Sequence, residues 1–540
     1  MAHPLRIAFL WHQHQPSYHL DHEFLLPWVR LHAAKDYVDL PLLFQQYPSV
    51  KHTINVVPSL LRQLAAYATG DTDMAQRALI MDIAAAPQTV QQEMATLLTT
   101  MQLTTMGKGL TGYATLHHRV QNSEWPSFST QEWRDLAVGY HLSWIGPISR
   151  QREHVQRLLQ QEHSYSVADA RALHDEILDI AGSFVRVMSD VQRQGTIEIS
   201  VTPAEHPILP LLIDRVSSAD ADRHVQRAII ASESAFGQRA RGMWPAEGSV
   251  SMDAVDTLAR FGVVWTATDS VILRNTLSQS WFETAAFFPW RVSTRHGEVA
   301  ILFRDHELSD AIGFQYMHRS PADAVHDLML RLEERRQRIV HEHGEASLEH
   351  AVVPIILDGE NCWEFYEGNG HPFLHELLST ITRREDLVAV TCSEATQPAH
   401  TSMMPALQEL QPGSWIDGTF GIWSGSPLKD AAWDLVRDVR QAFEGRRHDM
   451  TEQESTLFMD VMLQAEASDW FWWYDDRHIA PHKLEFDRIF RADLRVLYDM
   501  LQLQPRYPLD VSLYRSILGT DDQAAADVRN STGTMHQAGG

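Results

Sequence analysis

Sulfur chemistry is nearly absent from this chain. Cys362 and Cys392 are its only cysteines among 540 residues, which excludes a disulfide framework and a four-cysteine metal site. Long apolar runs are missing as well. No stretch of about 18 apolar residues occurs, so no membrane-spanning helix is expected. The opening run Leu5-Arg6-Ile7-Ala8-Phe9-Leu10 is too short for a signal-peptide core and flows into a polar, His-rich motif without the usual small-residue cleavage site. A cytoplasmic location is expected. Positive charge is scarce, with 45 basic against 70 acidic side chains and a net charge of −25. Nucleic acid and anionic membranes reward a positive surface, so neither is expected as a partner, whereas a neutral polymer is compatible. No internal repeat is present.

What is there suits a large soluble enzyme: 44% apolar and 21% charged residues, and enough chain for a barrel plus an added domain. Seven short apolar or β-branched runs end in polar residues: Arg6 to Trp11, His52 to Val57, Thr196 to Val201, Gly242 to Trp244, Val263 to Ala267, Val299 to Phe303 and Val352 to Leu357. Helical stretches lie between them. The clearest carries Leu173, Ile177, Ile180, Phe184, Met188 and Val191 at helical spacing and is stopped by Gly195. Strands alternating with helices imply a parallel sheet, and the count suits a (β/α)7 barrel. The barrel is expected over residues 1–390, with a helical insert at about 71–194. Three apolar stripes then predict a helical bundle over 391–520: Ala432, Val436, Val439 and Phe443; Leu457, Val461 and Ala465; and Phe486, Ile489, Leu494, Leu497 and Leu501. Residues 521–540, rich in small and polar types, predict a disordered tail.

The chemistry concentrates at the ends of the strand runs. Arg241-Gly242-Met243-Trp244-Pro245-Ala246-Glu247-Gly248 carries one carboxylate beside a tryptophan. Pro354-Ile355-Ile356-Leu357-Asp358-Gly359-Glu360-Asn361-Cys362-Trp363 delivers a second from an apolar run. Two carboxylates flanked by indoles are what glycosidic bond cleavage needs: one attacks or stabilises the anomeric carbon, the other protonates the departing oxygen, and sugar rings stack on indole faces. In Trp11-His12-Gln13-His14-Gln15-Pro16, residues two apart share a side, so His12 and His14 face the barrel mouth together. They either hydrogen-bond sugar hydroxyls or a carboxylate, or they hold a metal as in amidohydrolases. The metal partners on offer, His206, Asp269 and His306, form no tight motif, so neither metal nor other cofactor is expected. The run Asp469-Trp470-Phe471-Trp472-Trp473-Tyr474 holds five aromatics that no single helix face buries, which predicts stacking platforms; Trp415 and Trp423 add indoles on loops.

These motifs resemble glycoside hydrolase family 57, in order and from residue 5 to about 500. His14-Gln15-Pro16 matches the end of its first motif and the stretch from Glu198 to Pro210, which includes His206, its second. Glu247 in Trp-Pro-Ala-Glu-Gly-Ser matches the nucleophile, Asp358 the general acid/base, and Ala467-Ser468-Asp469-Trp470 the fifth motif. The resemblance implies a seven-stranded β/α barrel with a C-terminal helical bundle, a retaining mechanism without metal, and α-glucan substrates. Asp-Gly-Glu-Asn-Cys-Trp-Glu is similar to the amylopullulanase and α-amylase-like branch, and the Gly-His-Trp-Trp that follows the acid in branching enzymes is lacking. The expected activity is hydrolysis of starch, glycogen or maltooligosaccharides, either at α-1,4 bonds alone or at both α-1,4 and α-1,6 bonds. A 4-α-glucanotransferase or branching enzyme stands as the alternative within the family; an amidohydrolase and a non-catalytic glucan-binding protein stand outside it. With Glu247 and Asp358 as catalysts, the residues expected to hold substrate are His12, His14, Gln15, His206, Trp244, Asp305, Trp363, Trp415, Asp469 and Trp470.

Overall fold

All seven apolar runs become strands. In the computed structural model, which describes residues 3–397, 404–477 and 482–519, the strands of the main sheet are β1 (Leu5–Gln13), β2 (His52–Val56), β3 (Ile197–Val201), β4 (Gly242–Met243), β5 (Trp265–Asp269), β6 (Trp290–Thr294), β7 (Gly297–Arg304), β8 (Val352–Asp358), β9 (Leu387–Ala389) and β10 (Ala406–Leu407). Their order is β8-β1-β2-β3-β4-β5-β7-β6-β10, with β9 also on β1. The seven from β8 through β7 run parallel. Parallel strands covered by helices on both faces read as continuous apolar runs, and every residue of β1 is buried.

The two ends of this seven-strand set meet. The Asp305 backbone N–H donates to the Pro354 carbonyl at 2.8 Å, and Arg304 Nε donates to the Ile356 carbonyl at 2.7 Å. The (β/α)7 barrel is therefore closed at the β7–β8 seam by one backbone bond and a buried guanidinium. Register brings the strand ends to a common level: His12 pairs with Asp358 on one side and Asn55 on the other, and Asn55 pairs with Ser200. At Gly242 a Cβ would stand 1.7 Å from the Trp265 ring, so only glycine lets β4 lie against β5.

Seven α-helices, from Met74–Ala78 to Phe184–Arg193, occupy the stretch expected as an insert between β2 and β3. The periodic run from Leu173 to Val191 is two helices, Val167–Gly182 and Phe184–Arg193, broken at Ser183. Its six apolar residues are all buried nonetheless. The Ser183 hydroxyl caps the break by donating to the Ile180 carbonyl at 2.7 Å.

Beyond the barrel come helices Pro427–Arg446, Glu452–Ala465, Ser468–Trp473, Lys483–Met500 and Leu513–Leu518. Two of the three expected stripes face inward. In Glu452–Ala465 the buried residues are instead Phe458, Met459, Met462, Leu463 and Ala465, while Leu457 is 53% exposed. The inward face lies one residue on from the expected stripe, and Ala465 belongs to both. The aromatic run is also corrected. Trp470, Phe471, Trp473 and Tyr474 are buried and only Trp472 is half-buried. Phe471 stacks on Trp433 at 3.9 Å and Trp473 on Phe486 at 4.8 Å. One helix face cannot bury five rings, but Ser468–Trp473 is packed on several sides at once, so most faces are interior. The tail expected at 521–540 lies outside the described residues. Among the described residues, no helix is long and apolar enough to cross a membrane.

Candidate active site

Glu247 follows β4 in a tight turn and holds a left-handed backbone, φ 56° and ψ 25°. A non-glycine residue there stores roughly 1–2 kcal/mol of strain. What the turn gains is placement: the Trp415 indole Nε1–H donates to Glu247 Oε2 at 2.7 Å, and the Trp415 backbone N–H donates to the Glu247 carbonyl at 3.0 Å. Across the mouth, Asp358 closes β8 and accepts from the Asn361 side-chain amide at 2.8 Å. Both carboxyls are partly exposed, but the mouth desolvates them. Burial, and then the charge of Asp358, push the Glu247 carboxyl up to about 8, against the opposing pull of the Trp415 bond. Burial also raises Asp358, countered by Asn361, His14 and Arg304. At about 8, the Glu247 carboxyl keeps its proton at neutral pH.

Three imidazoles line the side between them. His12 Nδ1 lies 2.7 Å from Asn55 Oδ1, His12 Nε2 lies 3.2 Å from His206 Nε2, and His206 Nδ1 lies 3.0 Å from Ser468 Oγ. Burial first, then the neighbouring imidazoles, keeps both rings neutral: His12 is pushed down to about 3 and His206 falls well below its ordinary value. Neutral rings leave one consistent proton pattern. Ser468 O–H donates to His206 Nδ1, His206 Nε2–H to His12 Nε2, and His12 Nδ1–H to Asn55 Oδ1. His14 stacks on His206 at 3.8 Å with the planes 15° apart, and its Nε2 meets Asp469 Oδ1 at 2.9 Å.

His14, His206 and Asp469 place ligand atoms within 4.8 Å of one another, close enough for a metal ion. The geometry fits one poorly. In-plane lone pairs of stacked, near-parallel rings do not converge on a point, and the proton pattern occupies both nitrogens of His206. The other metal candidates split away: Asp269 bonds His306 Nδ1 at 3.2 Å and Arg304 at 3.0 Å in a separate cluster, where bonds to Asp269 and Asp310 raise His306 to about 10.

Of the residues expected to hold substrate, His12, His14, His206, Trp415 and Asp469 come together with the carboxyls. Trp244 lies beneath Trp415, 5.2 Å away and edge-on. It is 0% exposed, and its indole N–H has no partner among the described residues; it supports the platform rather than offering a ring face. Gln15 is fully buried, its amide engaged by Tyr37, Tyr18 and Glu360. Asp305 caps the helix His306–Asp310 and pairs with Arg335 at 3.0 Å. Trp363 donates to the Gly359 carbonyl and packs among Trp11, Tyr366 and Phe373, and Trp470 donates to the Gln464 carbonyl. These four hold the scaffold and present no surface to a sugar.

Sequence reasoning missed Asn55, Thr202, Ser468 and Arg304. The Thr202 hydroxyl lies 2.8 Å from both Asn55 Oδ1 and the Trp244 carbonyl, with its one proton shared between these two acceptors, and so ties the strand ends of β2, β3 and β4 together. The Arg304 guanidinium lies over the Trp415 ring at 5.3 Å. A polar Asn within Thr53-Ile54-Asn55-Val56-Val57 and an Arg closing Val299–Phe303 were the available signals.

Comparison with known proteins agrees with this fold. Among solved structures, the chain is similar to a family 57 branching enzyme from Thermococcus kodakaraensis, at 14% identity over 92% of this chain and 90% of that one with a TM-score of 0.59. It is equally similar to the branching enzyme from Pyrococcus horikoshii, at 15% identity over 92% and 95% and TM-score 0.59. The α-amylase AmyC from Thermotoga maritima follows, at 13% identity over 92% and 94% and TM-score 0.58. At such identities the likeness is one of fold. No curated protein sequence matches the chain. The model of glycosyl hydrolase family 57 matches residues 8–408, and the chain belongs to that family.

Proposed function

We propose that the protein is a retaining α-glucan hydrolase in which Glu247 is the nucleophile and Asp358 the general acid/base. The observation that carries this is the pair itself: two carboxyls, at the ends of β4 and β8, near enough for the charge of one to shift the other, with a half-exposed indole bonded to one of them. In the first step Glu247 Oε1 bonds to the anomeric carbon, the bond from that carbon to the glycosidic oxygen breaks, and Asp358 gives that oxygen its proton. In the second, Asp358 takes a proton from water, whose oxygen displaces Glu247. Near neutral pH Glu247 holds its proton in the free site, so the cycle starts once that proton has passed to Asp358. The Trp415 donor stabilises the resulting carboxylate. His14 Nδ1, without a partner among the described residues, is a hydrogen-bonding atom suited to a sugar hydroxyl. The C-terminal helical region contributes Ser468 and Asp469, which supports reading it as a domain that completes the cleft.

A second reading, transfer to another glucan instead of water, is favoured by one feature. A cavity of about 940 Å³, lined by Arg274, Gln279, Trp281, Gln411, Thr419 and Phe420 among others, adjoins the loop that carries Trp415 and offers room for an acceptor chain. Incubation with maltoheptaose separates the readings. Hydrolysis gives new reducing ends and only shorter products, whereas transfer gives products longer than the substrate with few new reducing ends. No change in the substrate by either measure would sink both.

A further inference from the structure

We propose a second, non-catalytic site for a borderline divalent cation such as Zn²⁺, formed by His19, His22 and Asp71 outside the cleft. Their ligand atoms lie within 4.8 Å of one another: His19 Nε2 is 2.7 Å from Asp71 Oδ2, and His22 Nδ1 is 3.8 Å from Asp71 Oδ1. Tetrahedral zinc with bonds of about 2.0 Å separates its ligands by roughly 3.3 Å, between these two spacings. The His19 and His22 rings stand 86° apart, unlike the parallel stack in the cleft, so their in-plane lone pairs are free to converge.

The backbone presents these groups at a cost that packing does not explain. His19–Leu20 and Glu23–Phe24 form a hairpin whose two turn residues, Asp21 and His22, both hold positive φ, 50° and 65°. Such a turn is the usual place for Asn-Gly. An imidazole at its second position, 91% exposed, fills no core. Asp71 is fixed from both sides. The helix Pro58–Thr69 ends at left-handed Gly70, and the Asp71 N–H returns to the Ala66 carbonyl at 3.1 Å. Asp73, two residues on, is bonded by Arg30 at 2.7 and 2.9 Å. Two imidazoles and a single carboxylate favour zinc over calcium or magnesium, which take oxygen donors. The ion would staple the hairpin to the segment after that helix, five residues beyond His14, and leave a coordination position to water.

The test uses tag-free full-length protein stripped with a chelator, then titrated with Zn²⁺ by calorimetry and with Co²⁺ by visible absorption. One equivalent should bind, give the intense visible bands of low-coordinate cobalt, and raise the Tm, because the ion binds the folded chain. His22→Asn keeps a residue suited to the turn and should weaken zinc by more than the 10–100-fold typical of losing a group that only orients a ligand; His19→Gln should do the same. Asp469→Asn should leave the equivalent in place. An equivalent that survives His22→Asn but is lost in Asp469→Asn would put the ion in the cleft and overturn the proposal, as would no binding at 100 μM Zn²⁺.

Discussion

Replacing Trp415 with phenylalanine keeps a ring beneath Arg304 and the backbone bond to the Glu247 carbonyl, but deletes the indole N–H that meets Glu247 Oε2 at 2.7 Å. A hydrogen bond to a charged group contributes about 1.5–3 kcal/mol. The bond favours the ionised form, so its loss raises the Glu247 pKa from its starting point of about 8. At 1.36 kcal/mol per unit, the rise is about one to two units. In the proposed cycle Glu247 attacks only when ionised and Asp358 must then hold the proton, so each unit of rise makes that arrangement about tenfold scarcer, and the alkaline limb of kcat/KM, where the pair loses this proton to solvent, should move upward by about one to two units. At pH 7 the expected loss is about 10- to 100-fold. The assay is the pH profile of kcat/KM on an aryl maltooside, with folding verified by Tm. A well-folded variant whose alkaline limb stays in place, with less than a threefold loss, would mean that Trp415 does not govern the ionisation of the proposed nucleophile.

Three further outcomes are expected. Proton NMR of the first-formed product should show the α-anomer; a β-anomer would rule out the retaining cycle. Asp358→Asn should release a burst of nitrophenol from an aryl maltooside and then stall until azide is added, giving an α-glycosyl azide, whereas Glu247→Gly should yield only a β-azide; the reverse pattern would exchange the two roles. Met462→Ala should cost about 2–5 kcal/mol in urea unfolding while Leu457→Ala stays within about 0.5, and equal costs would contradict the packing of that helix.

The barrel was readable because parallel strands buried on both faces write themselves as apolar runs. All seven reappear, down to the short run at Gly242, which forms the two-residue strand Gly242–Met243. Faces of helices were less readable. In Glu452–Ala465, Leu457 and Val461 follow the same spacing as Phe458 and Met462, and only the neighbouring helices decide between them. The site was legible where a charged residue interrupts a strand end, as at Glu247 and Asp358. It was illegible in depth: nothing in the sequence separates Trp415, with a ring face at the mouth, from Trp363 and Trp470, which are core. Asn55 and Ser468 acquire meaning only through the register and the long-range packing that put them on the two ends of the imidazole chain.

The left-handed turn at Glu247 sets stability against turnover at a single position. Glycine would relax that backbone and carries no desolvated carboxyl, so under the proposed mechanism the variant that best suits the fold is one that cannot catalyse. Selecting this protein for heat resistance alone would therefore favour losing the proposed nucleophile, and screens for sturdier variants must score sugar release alongside melting.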